Sequence, residues 1–151
     1  MTDGGEGAIM RVFRDTIGIR TEENQQFLDV TKQVQDVVSR SSIRNGTLLI
    51  NSLHTTIALF VNEFQSALLD DLGGVLQKLV PRRDGYFHDD PRYSDCDRSN
   101  AHAHLRATLL GRPIALAVAD AVVLLGQYQS VILAELDGPR DRKLQVQIVG
   151  E

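Results

Sequence analysis

Beyond Gly111 the chain runs through four apolar stretches, PIALAV, AVVLL, QSVILAEL and KLQVQIV. Turns fall at Gly126 and at Asp137-Gly138-Pro139, and no helical pattern lies between the stretches. Four strands in a row exclude a fold of alternating βα units. Together with the segments upstream they predict an α+β fold with a mostly antiparallel sheet.

Upstream the pattern is mixed. Val12, Phe13, Ile17 and Ile19, with polar residues between them, predict a strand from Met10 to Thr21, and a short extended piece follows at Gln25–Leu28. In TKQVQDVVSR, with Asp29 or Thr31 as cap, Val30, Val34, Val37 and Val38 fall at i, i+4, i+7 and i+8 and predict an amphipathic helix. The turn signal Asn45-Gly46 leads into the strands TLLINSL and IALFVNE, with His54-Thr55-Thr56 at their junction. From Ser66 to Val80 the residues Leu68, Leu69, Leu72, Val75, Leu76 and Leu79 predict a second helix that stops before Pro81. Residues 81–99 hold five aspartates, four arginines, two prolines and two tyrosines and almost no aliphatic side chain. Loops of this length are functional or disordered, and the aromatics argue against disorder. Ser99 or Asn100 then caps a third helix that runs through Leu110 and ends at Gly111. No repeat or linker breaks the chain, so residues 1–9 are read as a flexible N-terminus and 10–151 as one domain.

Composition narrows the function. A hydrophobic fraction of 42% and a charged fraction of 24% are those of a globular protein. The net charge is −4 and the basic residues form no stripe, which argues against a nucleic-acid partner. The basic turn Gly138-Pro139-Arg140-Asp141-Arg142-Lys143 suits a phosphate better than a duplex. The single cysteine, Cys96, makes no internal disulfide, MTDGGEGA does not read as a signal peptide, and no apolar run approaches a membrane span. These features predict a cytoplasmic protein with no membrane contact.

Two of the four histidines, His102 and His104, sit at the start of the third helix. Positions i and i+2 point about 200° apart, so these two cannot chelate one ion. Asn100 and His104 share a face, which leaves one histidine to work with Asn100 and the other to face solvent. His54 follows a strand and His88 lies in the polar loop. Three histidines from a strand end, a loop and a helix start can converge on zinc with an open water position, or each can serve the local structure separately. Asn100 reads equally as a helix cap. Glu63 and Glu135 end strands and read equally as solvated carboxylates, and Arg140 and Arg142 as surface residues. Cys96, flanked by aspartates, is a poor nucleophile.

The segments HTTIALFVNEFQSALLDDL, YFHDDPRYSDCDRSNAHAHLRATLLG and LLGQYQSVILAELDGPRDRKLQVQIVGE closely resemble the YjbQ family over roughly residues 10–151. The matching positions are His54, Thr55 and Thr56, Asn62 and Glu63, Tyr86 and His88, Asn100 and His104, Gly126 and Gln129, and Glu135, Asp137 and Arg140. The family's histidine falls on His104, and His102 falls where the family varies. The resemblance implies an α+β sandwich with about three helices and a homotrimer. It implies a divalent metal, zinc, on His54, His88 and His104, and a secondary thiamine-phosphate synthase activity. On that basis His54, Glu63, His88, His104 and Glu135 are the implied catalytic residues. Thr55, Thr56, Tyr86, Asn100, Gln129 and Arg140 are the implied contacts to a phosphorylated small molecule. The chain departs from many members at Asn62-Glu63-Phe64-Gln65, where the expected proline is missing and the acidic residue on the next helix has two candidates, Asp70 and Asp71. Ser94 to Arg98 marks one branch of the family.

The implied reaction joins a pyrimidine pyrophosphate to a thiazole phosphate and expels pyrophosphate. A metal and arginines suit so charged a leaving group. The same parts serve a metal-dependent hydrolase or other phosphoryl enzyme, and a trimeric binding protein with a structural ion is the non-enzymatic alternative. No Walker-type phosphate loop is present, which argues against nucleoside triphosphate chemistry.

Overall fold

The computed structural model describes residues 9–111 and 113–151. The expected N-terminal flexibility of residues 1–8 lies outside the described residues. The elements run β1 (Arg11–Arg20), β2 (Gln26–Asp29), α1 (Thr31–Ser41), β3 (Gly46–Ser52), β4 (Ile57–Asn62), α2 (Ser66–Leu79), α3 (Ala101–Leu110), β5 (Ile114–Ala119), β6 (Val122–Val123), β7 (Ser130–Glu135) and β8 (Asp141–Gly150). One sheet has the order β1-β8-β3-β5-β6 and the other β2-β7-β4, and every pairing is antiparallel. The fold is the expected α+β with three helices.

Side-chain alternation sorts the core into two layers. On β4, Ile57 and Leu59 join the cluster that holds Val34, Val37 and Val38 of α1 and Leu144, Val146 and Ile148 of β8. The alternate residues Ala58 and Phe60 turn to the other face, where they meet Leu76 of α2 and Ala103 and Ala107 of α3. β7 does the same with Leu133 and Ala134. The small sheet is thus buried on both faces, which explains its unbroken apolar run VILA.

Local departures from expectation have local causes. Asp120 and Ala121 take positive φ (50° and 62°) in the two-residue turn between β5 and β6, so the stretch AVVLL contributes only Val122 and Val123 as strand. At Gly46 a Cβ would lie 2.2 Å from the Val149 carbonyl oxygen, so the tight approach of β3 to β8 requires glycine. The α3 N-terminus is not capped by Ser99 or Asn100. Asp89 Oδ1, twelve residues upstream, accepts from the Ala101 backbone N–H at 2.9 Å. The 81–99 segment is therefore pinned to α3, and its one regular piece is a single turn at Phe87–Asp89.

Arg106 ties the two outer helices together. Its guanidinium is 5% exposed, and it donates to the Val80 carbonyl from Nε and Nη2, to Gln25 Oε1 from Nη1, and to Gln77 Oε1 from Nη2. Its partners are all neutral oxygens, and the Val80 carbonyl lies at the negative end of α2. Arg106→Ala should destabilise the fold by about 1–3 kcal/mol, because the buried Val80 carbonyl loses its donor and the guanidinium's bonds to Gln25 and Gln77 go with it. A urea titration measures this, and a loss below about 0.5 kcal/mol would show the anchor to be dispensable.

Candidate functional site

Four segments converge where β3 gives way to β4: the His54-Thr55-Thr56 junction, the loop end at Cys96 and Arg98, the start of α3, and the Asp137–Arg140 turn between β7 and β8. Together they line a cleft of about 350 Å³ with His54, Thr55, Thr56, Asn100, His104, Asp137, Arg140 and Arg142 in its wall. A larger hollow of about 670 Å³ lies between β2 and α2 and is lined by Glu23, Gln25, Phe64, Ser66 and Asp70, with no imidazole or guanidinium. Size therefore does not pick out the site; chemistry does.

The floor of the cleft is a buried ion pair. Glu135 is fully buried and Arg142 is 4% exposed. Arg142 donates from Nε to Glu135 Oε2 at 2.7 Å and from Nη2 to Glu135 Oε1 at 2.6 Å and to Thr56 Oγ1 at 2.9 Å. Glu135 also accepts from the Leu136 and Asp137 backbone N–H groups and from the Thr21 hydroxyl. Burial pushes the Glu135 carboxyl up, but the Arg142 and backbone hydrogen bonds outweigh it and hold the group below its ordinary value. Glu135, read from the sequence as catalytic, and Thr56, read as a substrate contact, are therefore held as supports for the wall. Arg142 is not a surface residue either. Strand β8 buries alternate positions, and Arg142 falls on the same face as Leu144, Val146 and Ile148.

Asp137 organises the wall above this floor. It accepts from Asn100 Nδ2 at 2.9 Å and from Arg140 Nη2 at 2.8 Å, while Arg98 Nη1 stands 3.9 Å away. Arg140 Nε also donates to the Asp137 carbonyl. Gly138 allows the turn to pass this closely, since a Cβ there would lie 2.2 Å from the Glu23 carbonyl oxygen. Around this turn the three guanidiniums of Arg98, Arg140 and Arg142 face the two carboxylates of Glu135 and Asp137.

The histidines divide by environment. The His104 ring lies against the His88 ring, with centroids 4.9 Å apart. His104 is also hydrogen-bonded to the Thr55 backbone. His88 Nδ1 lies 3.1 Å from Asp89 Oδ1. His54 Nε2 accepts the Lys143 backbone N–H at 3.1 Å. His102 does not face solvent as expected: it is 2% exposed, and its Nδ1 has no hydrogen-bond partner among the described residues. The helical spacing separates it from His104 as predicted, but the face opposite the cleft is interior.

The metal reading can be tested on these contacts. Two imidazoles on one zinc at about 2.1 Å and a tetrahedral angle have ring centres about 5 Å apart, close to the His88–His104 separation. Each of those rings has a protein partner of the kind that orients a ligand. The third expected ligand, His54, directs its Nε2 at the Lys143 backbone N–H. Among the described residues no three His, Cys, Asp or Glu side chains gather as a metal-binding group.

Five expected residues do not line the cleft: Glu135 lies beneath it, His88 meets it only through the His104 ring, and Gln129, Tyr86 and Glu63 lie elsewhere. Gln129 Oε1 accepts from the Gly126 backbone N–H and closes its own turn. The Tyr86 hydroxyl donates to the Pro81 carbonyl and closes the polar loop. Glu63 lies at the end of β4 beside Phe60, Leu68 and Leu72. Asp89, Arg98 and Arg142 are contributors that sequence reasoning did not assign. Only Arg142 carried a signal, its place on the apolar face of an alternating strand.

Burial is the main cause that lowers the pKa of His54, His102 and His104, aided by Arg142, Arg106 and His88 respectively. Each folded-state value lies below that of the unfolded chain, about 6.5. The unfolded state then binds more protons as the pH falls, so stability is full above about 6.5 and declines below it. Glu135 acts in a lower window, since its contribution is lost only below its ordinary 4.5. The urea midpoint should therefore be lower at a pH of about 5.5 than at about 7.5, and equal midpoints would show that the imidazoles are not held neutral.

The family described as UPF0047 protein YjbQ-like matches residues 15–151. A UPF0047 protein from Methanothermobacter thermautotrophicus is 38% identical over 145 residues, which cover 96% of this chain and 97% of that protein. UPF0047 protein YugU from Bacillus subtilis is 26% identical over 138 residues, 89% of this chain and 98% of that one. The crystal structure of a YbjQ-like protein of unknown function from Sulfolobus solfataricus superposes with a TM-score of 0.87 at 34% identity, over 95% of this chain and all of that one.

Proposed function

The chain belongs to the UPF0047 family of YjbQ-like proteins, and we propose that it is an enzyme acting on a phosphorylated small molecule held in the His54–His104–Arg140 cleft. The proposed reaction is of the thiamine-phosphate synthase type, in which a pyrimidine pyrophosphate joins a thiazole phosphate and pyrophosphate leaves. The observation that carries this reading is the convergence of Arg98 and Arg140 with Thr55, Asn100 and two imidazoles in one wall.

Arg140, held in place by Asp137, offers a guanidinium fork to a phosphate, and Arg98 adds a second charge that is only weakly engaged. Thr55 and Asn100 orient the ligand through neutral hydrogen bonds. The ion pair beneath excludes water and fixes the wall. A divalent ion, zinc in this proposal, would be held by His88 and His104 and would supply positive charge to the departing pyrophosphate.

The cleft volume, about 350 Å³, is at the low end for small-molecule sites and suits one ligand better than two. That favours a phosphoryl hydrolase as the second reading. Product analysis separates them. With the pyrimidine pyrophosphate and thiazole phosphate together, the transferase forms thiamine phosphate, whereas the hydrolase releases phosphate from the pyrimidine compound alone. Neither product would defeat both readings. Zinc content is measured on the same preparations: His104→Ala should lose most of the metal and His102→Ala should retain it. Equal loss in both variants would overturn the assignment of His104.

The proposed assembly is a homotrimer. Its support is the set of exposed apolar side chains on the outer helices, with Leu68, Val75 and Leu79 on α2 and Leu105 and Leu109 on α3 each 38–68% exposed. Light scattering coupled to gel filtration should give three times the monomer mass of 16.7 kDa. A monomer at micromolar concentration would exclude the trimer.

A further inference from the structure

We propose that Arg142 is the innermost ligand contact of the cleft as well as the partner of Glu135, and that its Nη1 group and the Thr56 hydroxyl receive a terminal phosphoryl oxygen at the floor. The inference rests on the reading that the cleft takes a phosphorylated ligand, and it names the subsite that holds the phosphate deepest.

A guanidinium carries five N–H donors. In Arg142 three of them are engaged: those on Nε and Nη2 that meet Glu135, and the second on Nη2, which meets Thr56 Oγ1. The two on Nη1 have no partner among the described residues. Arg106, also buried, differs, because its Nε, Nη1 and Nη2 each find a protein oxygen. The carboxylates nearby are already occupied. Glu135 accepts from Arg142 twice, from Thr21, and from the Leu136 and Asp137 backbone, which fills its lone pairs. Asp137 Oδ2 accepts from Asn100 and Arg140.

Among the described residues His102 Nδ1 is the one polar side-chain atom that is both fully enclosed and without a partner. Arg142 Nη1 lacks a partner but is not enclosed in that way. Arg142 is 4% exposed and forms part of the cleft wall, so the surface that Nη1 keeps opens on the cleft. Thr56 adds a second donor. It is 5% exposed and lines the same cleft. Its oxygen accepts from Arg142 Nη2, and its own proton has no acceptor among the described residues. Thr21 is different, since its hydroxyl donates to Glu135 and accepts from the Arg140 backbone N–H. The network around the ion pair is therefore closed at Thr21 and open at Thr56.

Convergent N–H and O–H donors with no acceptor between them suit an oxygen that carries negative charge. Glu135 fixes the guanidinium plane in advance, so little side-chain freedom is lost when the ligand arrives. Glu135 is fully buried beneath, so the floor is closed and only the end of a ligand reaches it. That selects a terminal phosphoryl group. The more exposed Arg98 and Arg140 then meet the ligand nearer the mouth of the cleft.

The test uses full-length protein with ¹⁵N-labelled arginine, titrated with inorganic pyrophosphate at a temperature low enough to resolve the Nη groups. The Arg142 signals are identified by their proximity to the Thr56 methyl protons. Pyrophosphate should shift Arg142 Nη1 and leave Arg142 Nε, bound to Glu135, almost unmoved. Binding that moves only the Arg98 and Arg140 signals overturns the proposal and leaves the phosphorylated-ligand reading standing. Arg142→Lys keeps a positive charge for Glu135 but removes Nη1, and it should bind pyrophosphate about tenfold more weakly. A folded Arg142→Lys protein with an affinity within about twofold of wild type overturns the proposal too. Where that variant does not fold, the wild-type spectrum decides alone. Wild-type protein that binds no pyrophosphate defeats the phosphorylated-ligand reading and the floor subsite together.

Discussion

The buried pair of Glu135 and Arg142 is the interaction on which the remaining architecture turns. It joins the last residue of β7, in the small sheet, to the start of β8, in the large one. Thr21 at the end of β1 and Thr56 at the start of β4 close the ring. Burying two charges costs several kcal/mol each, and mutual attraction offsets that only when the remaining lone pairs and protons are also satisfied. Here the carboxylate accepts from two backbone N–H groups and a hydroxyl in addition to the guanidinium. The cost is met by geometry that also dictates where the following turn must start. Asp137, whose own N–H is one of those donors, is thereby aimed at Asn100 and Arg140.

This arrangement explains which parts of the protein were legible in the sequence. Alternation and helical spacing report on nearest neighbours along the chain, so the strands and the three helices could be read directly. The valines of α1 and the alternate residues of β8 are buried as their periods require. The His54-Thr55-Thr56 junction and the Asn100–His104 spacing likewise set residues at element ends, where a cleft can open. Gln129 and Tyr86 engage their polar groups in short-range backbone contacts, and such contacts leave no distinctive pattern in the sequence.

Long-range pairing was the illegible part. Nothing local says that Asp89 caps a helix twelve residues later, so Asn100 was credited with a cap whose work is done elsewhere. That substitution has a consequence for the cleft: relieved of capping, the Asn100 amide is available to Asp137. The burial of Arg142 could have been suspected from its position on β8, but its partner could not, because Glu135 ends a strand of the other sheet. A charged residue on the apolar face of an alternating strand is a demand for a counter-ion, and the sheet topology identifies it.

Helix α3 shows how little sequence is needed to give one element several chemistries. Successive residues rotate by about 100°, so five adjacent positions sample the whole circumference. His104 turns to the cleft beside Asn100, while Ala103 and Ala107 press on the small sheet. Leu105 and Leu109 stay exposed, and Arg106 reaches the end of α2. His102 takes the remaining interior direction, where its Nδ1 finds no partner among the described residues. An apolar side chain would avoid that desolvation cost of about 1–3 kcal/mol. The two histidines therefore differ in kind although one residue separates them: His104 is set by the ring of His88 and the backbone of Thr55, and His102 mainly by burial.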